Sequence, residues 1–314
     1  MTASATFVPI QALRNAFGSN LQENVMLAHY TTARVGGAAD AVLIVHSANE
    51  LAETVQTLWN LQAPYRILGG GSNVLISDKG LREVIVINRA NQVKVNADTS
   101  PPAVWAESGA TMVSIGKRLA LRGLAGFAWG TYIPGTLGGA MYGNAGAHGS
   151  DIASQLILAD ILHPVFGKVQ WTSAQFEYGY RSSILKRTDS LAVILSASLE
   201  LSHSTREEVE NCLETIYNRR IKMQPPGSSL GSIFKNPGND KSGRLIEAAG
   251  LKGTRIGNVE ISQKHANFFV NHGDAKAKDI YSLIRLAQQT VKEKFGVQLE
   301  MEIELLGDWT ENEE

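Results

Sequence analysis

Cysteine is almost missing from this chain. Its single thiol, Cys212 among 314 residues, excludes an intrachain disulfide. Val209, Leu213 and Ile216 recur around it at helical spacing, so the thiol is expected in a core rather than in a reactive site. Net charge is missing too. Against 30 Asp and Glu stand 29 Lys and Arg, a balance of −1 that argues against a nucleic-acid coat or an acidic-membrane binder while leaving room for a local basic pocket. The seven histidines fall in no H-x-x-x-H grouping and there is no C-x-x-C pair, so no metal is expected. There is no G-x-x-x-x-G-K-[ST] run, which removes a P-loop, and no G-x-S-x-G elbow, which leaves serine hydrolysis without support. The start, MTASATFVPIQALRNAF, lacks a positive stretch ahead of an apolar one; a signal peptide is not expected, and the cytoplasm is the expected compartment. Internal repeats and low-complexity tracts are absent as well.

Glycine, by contrast, is concentrated. From Gly123 to Ser150 no Lys, Arg, Asp or Glu occurs, a length that would suit a membrane span. Pro134 and the glycines at 135, 138, 139, 143, 146 and 149 argue against a regular helix there. The run IPGTLGGAMYGNAGAHG, residues 133 to 149, has little to pack a core and is expected to bring bare backbone close to a ligand. An ordinary surface loop, the plain alternative, is usually shorter and more polar. A second turn, G-G-G-S-N-V at 69 to 74, lacks the third glycine of a dinucleotide fingerprint. Two such turns can cradle a diphosphate from two sides, with Ser72 and Asn73 adding polar groups; a pair of structural turns remains the alternative.

At this length two or three domains are expected. After weak signals for a short helix before residue 30, AVLIVH at 41 to 46 reads as a buried strand. Ser47 and Glu50 are spaced as a capping box for a helix over 48 to 62, with Leu51, Val55 and Leu58 inward. YRIL follows Pro64 as a strand and runs into the first glycine turn, which puts a ligand at a strand's carboxyl end. From residue 83 the pattern changes to short β runs, EVIVIN, QVKVNA and AVWAESGA. A helix is expected at about 112 to 122, and strands near 155 to 163, 168 to 171 and 192 to 200. Thr205 and Glu208 make a second capping-box spacing, for a helix to about Lys222. Ile280, Leu283, Ile284, Ala287 and Val291 stripe a further helix closed by Gly296. The last strand, VQLEMEIELLG, alternates apolar residues with Gln298, Glu300, Glu302 and Glu304. The divisions are 1–90, 91–203 and 204–314.

Three places carry polar chemistry. In EYGYRSS, Tyr180 and Arg181 offer a phenol and a guanidinium able to grip a carboxylate, though a surface arginine is the commoner fate. In GSIFKNP, Ser232 and Asn236 sit between Gly231 and Pro237, which a structural turn would equally explain. The glutamate row either faces solvent or puts one member beside a cation, and periodicity does not say which.

Taken in order, TTARVGGAAD, LGGGSNVLISD, the 133–149 run, YGYRSS, RRIKMQPPGSSLGSIFKNP, AGLKGTRIGNVEISQKHANFFVNHGDAKAKDI and LEMEIELLG closely resemble the MurB-type flavoenzymes of peptidoglycan precursor synthesis. The runs extend over residues 31 to 307, and the ordered set is specific where any one run is not. The resemblance implies an α+β fold: a two-part FAD-binding region of the p-cresol methylhydroxylase/vanillyl-alcohol oxidase type, then a C-terminal α+β substrate-binding domain. It implies non-covalent FAD, NADPH as reductant, a small-molecule substrate, UDP-N-acetylglucosamine enolpyruvate, and a monomer. By position, Ser232 falls on the family's proton donor and Arg181 and Glu302 on its other catalytic positions. Tyr180, Lys222 and Asn236 fall on substrate contacts. Gly69, Gly70, Gly71, Ser72 and Asn73 fall on one FAD-binding run. Ile133, Pro134, Gly135, Thr136, Gly138, Gly139, Tyr142, Gly146 and Ala147 fall on the other, with Val193 and Arg219 as further cofactor positions. Departures are Ala33 where an aromatic is common, Gly143 and His148 in place of larger residues, and no tyrosine-bearing insertion between Arg181 and Ser232.

Such an enzyme passes a hydride to the enolpyruvyl double bond. Arg181 and Glu302 would stabilise the charge left behind, and Ser232 would protonate the adjacent carbon. The alternatives are an FAD oxidase of the same fold, a nucleotide-binding protein without catalysis, and a carboxylate-pair glycosidase. They are disfavoured by GSIFKNP, by the joint presence of the three side chains, and by the lack of a second acid tied to Glu302.

Overall fold

The computed structural model describes residues 8–188 and 190–310, so the first seven residues of the run in which no signal peptide is expected lie outside it. Its first sheet has four strands in the order Gln22–Met26, Ala38–Val45, Leu81–Asn88, Tyr65–Leu68. The last three are mutually parallel and the first, which the sequence did not signal, is antiparallel. Near-continuous apolar stretches suit strands covered on both faces. The crossover helix Ala48–Asn60 buries Leu51, Val55 and Leu58. Ser47 caps it by accepting from Glu50 N at 3.1 Å, but the Glu50 carboxylate accepts from His46 N at 2.7 Å, so only half of the expected box forms. Strand Tyr65–Leu68 then delivers the glycine turn at its carboxyl end.

The second sheet is antiparallel, in the order Gly167–Trp171, Leu156–His163, Val193–Glu200, Ala103–Glu107, Val93–Asn96. Helices Met112–Ala120 and Leu137–Tyr142 share its core, among them Ile115, Leu137, Met141, Ala159 and Ala197. Here the expectation that residues 133 to 149 pack no core is corrected. Thr136 caps a short helix that buries Leu137, Ala140 and Met141. Packing overrides propensity because Gly138 lets the helix close on Ser108, whose Cβ would lie 2.9 Å from an added side-chain carbon.

The helix Arg206–Met223 carries the expected Thr205/Glu208 capping box. It buries only Val209 and Leu213, against Ala120, and Cys212 is exposed. The expectation of a core thiol fails because the contact stripe is one residue wide at that turn, and Cys212 lies beside it.

The last part pairs Arg255–Ile256, Val259–Ile261 and Phe269–Asn271 in an antiparallel sheet under the helix Ala277–Phe295. Ile280, Leu283, Ile284, Ala287 and Val291 are buried, and Gly296 ends that helix at φ +69°. The core formed there includes Ala33, Val35 and Leu75 from the first part. The Asp78 carboxylate accepts from Ala277 N and Lys278 N, both at 2.9 Å, at the start of the long helix. Of the alternating C-terminal run only Glu304–Leu306 is a strand, parallel to Val74–Ile76. Burial alternates from Val297 to Glu300 and then breaks: Met301 and Glu302 are both half-buried, Ile303 is buried, and Leu306 rather than Leu305 is buried. No described helix is long and apolar enough to cross a membrane.

Candidate active site

The two glycine turns meet backbone to backbone. A Cβ at Gly70 would lie 2.9 Å from Gly135 Cα, and one at Gly71 only 2.0 Å from Tyr30 O, so neither position tolerates a side chain. Ser72 Oγ donates to Pro134 O at 3.0 Å and Asn73 Nδ2 to Glu302 O at 3.1 Å, which engages both side chains with protein. Among the described residues, the backbone N–H groups from Gly70 to Asn73 donate to no protein acceptor. A short row of uncommitted donors beside bare backbone suits an anion.

The C-terminal run threads past this turn. Glu304 N donates to Asn73 O at 2.9 Å, and Glu302 N to Ile233 O at 2.8 Å. Glu302 thereby lies between the glycine turn and the GSIFKNP segment. Each carboxylate of the glutamate row has found its own cation: Glu300 pairs with Lys235, Glu302 with Arg181, Glu304 with Lys186.

Arg181 reaches Glu302 from the YGYRSS turn. Its Nε donates to Glu302 Oε1 at 2.7 Å, and its Nη2 to Gly146 O at 2.7 Å in the 133–149 run. Both partners of the ion pair are about four-fifths buried, with side-chain exposures of 23% and 19%. Arg181 adopts φ +56°. Left-handed backbone in a non-glycine residue costs about 1 kcal/mol and clusters at functional sites. The Tyr180 ring lies beneath the guanidinium at 5.2 Å and is exposed. A cleft of about 300 Å³ opens there, lined by Asn144, Asp151, Tyr178, Tyr180 and Arg181. A larger one, about 380 Å³, lies on the far face of the second sheet, but its polar groups Trp105, Ser196, Asp160 and Gln170 satisfy one another.

Tyr142, at the end of the helix in the glycine run, has its phenol pushed up to about 12, first by burial and then by the Glu304 charge. Lys186 was not singled out from sequence. Its Nζ lies 3.2 Å from Glu304 Oε1 and 3.4 Å from Glu302 O, tying the glutamate row to the short helix Ile184–Arg187. Nothing in ILKR distinguishes this lysine from a surface one.

Ser232 is half-buried, and among the described residues its hydroxyl makes no hydrogen bond. Asn236 is exposed, and its Oδ1 accepts from Ser242 N at 3.2 Å, at the first residue of the helix Ser242–Ala248. Lys222 and Arg219 are both exposed on the helix Arg206–Met223. The neighbouring Arg220, half-buried, donates through Nη1 to Tyr132 O beside the glycine run, and burial lowers its pKa. Val193 packs in the core shared with Leu43, Val84 and Leu162. His148 stands exposed at a hairpin tip with φ +54°. The structure thus gathers Arg181, Glu302, Asn73 and the Ser232 segment, and leaves Arg219, Lys222 and Val193 outside that cluster.

Comparison with known proteins agrees with this architecture. The family described as "UDP-N-acetylenolpyruvoylglucosamine reductase, C-terminal domain" matches residues 223–306, and "FAD binding domain" matches residues 39–173. The UDP-N-acetylenolpyruvoylglucosamine reductase of Chloroflexus aggregans is 38% identical over 297 residues, covering 94% of this chain and 100% of that one. That of Halalkalibacterium halodurans is 36% identical over 301 residues, covering 95% and 98%. The crystal structure of the reductase from Thermus caldophilus superposes with a TM-score of 0.76 at 32% identity, over 90% of this chain and 98% of that one. Likeness of this extent reaches from the first glycine turn to the glutamate-bearing strand, and the chain belongs to the UDP-N-acetylenolpyruvoylglucosamine reductase family.

Proposed function

We propose that this protein reduces UDP-N-acetylglucosamine enolpyruvate to UDP-N-acetylmuramate for peptidoglycan synthesis, with NADPH as reductant and FAD as cofactor. The observation that carries this is the largely buried Arg181–Glu302 pair, whose Glu302 N bonds to the residue after Ser232 and whose Arg181 bonds to Gly146 O in the second glycine run. The turns themselves fit FAD. A Cβ at Gly139 would meet nothing nearer than 3.7 Å, so the protein's own packing does not require glycine there, whereas a flat ligand lying on that surface would. The free N–H groups of Gly70 to Asn73 suit its diphosphate.

The two glycine turns would hold FAD, and the bound cofactor, once reduced by NADPH, would provide the hydride for the methylene carbon of the enolpyruvyl double bond. The protein's own groups handle the charge and the proton. Hydride addition leaves negative charge shared between the adjacent carbon and the carboxylate, and the Arg181 guanidinium, fixed by Glu302 and Gly146 O, is preorganised to meet it. Ser232 delivers the proton to that carbon; a weak acid suffices because the acceptor is enolate-like and the donor is held in place. Glu302 orients Arg181 and fixes its charge. Tyr180, Lys222 and Asn236 serve the sugar nucleotide, Lys222 as a point charge for its diphosphate. For the cofactor phosphate, Arg220 is better placed than Arg219, being half-buried against Tyr132 O. We assign the FAD-binding region to residues 1–90 and 91–203 and the substrate domain to 204–314. The chain acts as a cytoplasmic monomer without a nucleic-acid partner, in keeping with its balanced charge.

The test separates the two half-reactions by stopped flow. Ser232→Ala should leave flavin reduction by NADPH nearly intact and slow reduction of the enolpyruvyl nucleotide by roughly 100- to 10,000-fold. Equal losses in both would remove Ser232 from the proton-donor role.

A further inference from the structure

Among the described residues the Ser232 hydroxyl has no hydrogen-bond partner, so its position depends on the backbone that carries it, and that backbone is clamped from both sides. On one side, Glu302 N donates to Ile233 O at 2.8 Å and Lys235 N to Glu300 O at 2.9 Å. On the other there is no regular strand, only an isolated bridge between Ser232 and Phe268. Most of the hydrogen bonds that a strand would have made come from one residue, with Ser242 Oγ adding a longer bond to Phe234 O at 3.3 Å. Asn267 accepts from Ile233 N through its backbone oxygen at 2.9 Å. Its side chain accepts from Phe234 N through Oδ1 at 2.9 Å and donates from Nδ2 to Phe234 O at 2.8 Å. Asn267 is 3% exposed, and Ile233 and Phe234 are 0% and 1% exposed, so water cannot replace these bonds.

We propose that Asn267 is the positioning residue of Ser232: its carboxamide, standing in for a missing strand, fixes the two residues after the proton donor and thereby the placement of the hydroxyl. The inference rests on Ser232 being the proton donor. An amide is required, since only Asn or Gln offers a donor and an acceptor side by side, and only Asn has this reach. Its bonds run to Ile233 and Phe234, and it acts through them. A shift of about 1 Å at the reacting group can cost on the order of 100-fold in rate, so loss of the clamp should be felt at the step that uses Ser232 and not at flavin reduction.

Asn267→Asp keeps the acceptor for Phe234 N and loses the donor to Phe234 O; Asn267→Ala loses both. Asn271→Ala serves as the structural control. Asn271 is also buried, at the end of the strand Phe269–Asn271 that follows, but its side chain bonds to Ala33 O and Gly273 N. On the FAD-loaded protein, both Asn267 variants should slow the enolpyruvyl half-reaction by about 100-fold, raise its solvent deuterium isotope effect, and leave NADPH-driven flavin reduction within about twofold. Asn271→Ala should lower the melting temperature without this asymmetry. The inference is overturned if Asn267→Asp slows both half-reactions equally, or slows neither. If Ser232→Ala also leaves the enolpyruvyl half-reaction unchanged, the assignment of the proton donor fails first, and the inference with it.

Discussion

Arg181 shows how much of a site a single residue reveals before folding and how much it conceals. The guanidinium in YGYRSS was visible as a carboxylate-binding group, but its φ of +56° and its grip on Gly146 O were not, because both depend on segments far away in the chain. The glutamate row behaves likewise. Periodicity placed Glu300, Glu302 and Glu304 together, yet their cations Lys235, Arg181 and Lys186 come from separate segments that no local pattern links. Cys212 failed for a related reason: helical spacing identifies neighbours on a face but not how wide the covered stripe is. At Arg181 the bidentate fork matters. Arg181→Lys keeps the charge but cannot bond Glu302 and Gly146 O while also presenting a planar donor, so turnover should fall about 100-fold with flavin content unchanged. An unchanged turnover number would remove Arg181 from the catalytic set.

Among elements, those with strong periodicity were legible: the helices Ala48–Asn60, Arg206–Met223 and Ala277–Phe295 lie close to where caps and stripes predict them. The helix Leu137–Tyr142 was not, because its glycines oppose helix locally and only packing against Ser108 and the second sheet makes it pay. The segment Ser262–Asn271 was legible as a family run, while its clamping of Ser232 was not. That segment carries a pH dependence. His265 Nδ1 accepts from Asn267 N at 3.3 Å, and burial lowers the histidine pKa below 6.5, with Lys252 acting in the same direction and Glu247 opposing. A base whose folded pKa is depressed binds its proton more readily when unfolded. Stability is therefore fully present above the unfolded value and is lost as pH falls through it. The melting temperature should drop as the pH falls below about 6.5, the value of an unperturbed histidine, and His265→Gln should flatten that drop. A wild-type slope retained in the variant would assign the effect to other groups.

Over the whole molecule, the site exists only where the parts meet. Thr32 Oγ1 donates to Ser229 O at 2.7 Å, Asn271 Nδ2 to Ala33 O at 2.8 Å, Asp78 caps the long C-terminal helix, and Asn73 holds Glu302 O. These bonds fix the last part on the first, so the first glycine turn, Arg181, Glu302 and the Ser232 segment share one frame. These cross-links were not legible in the sequence, because each joins a side chain to a backbone group 197 to 238 residues away. The central claim is that this frame brings a reducible cofactor to an enolpyruvyl nucleotide, and the flavin absorption spectrum tests it most directly. With the purified protein, FAD added and oxygen removed, NADPH should bleach the flavin bands, and UDP-N-acetylglucosamine enolpyruvate alone should restore them. No flavin bands after FAD is added, or restoration by oxygen but never by the enolpyruvyl nucleotide, would contradict the account.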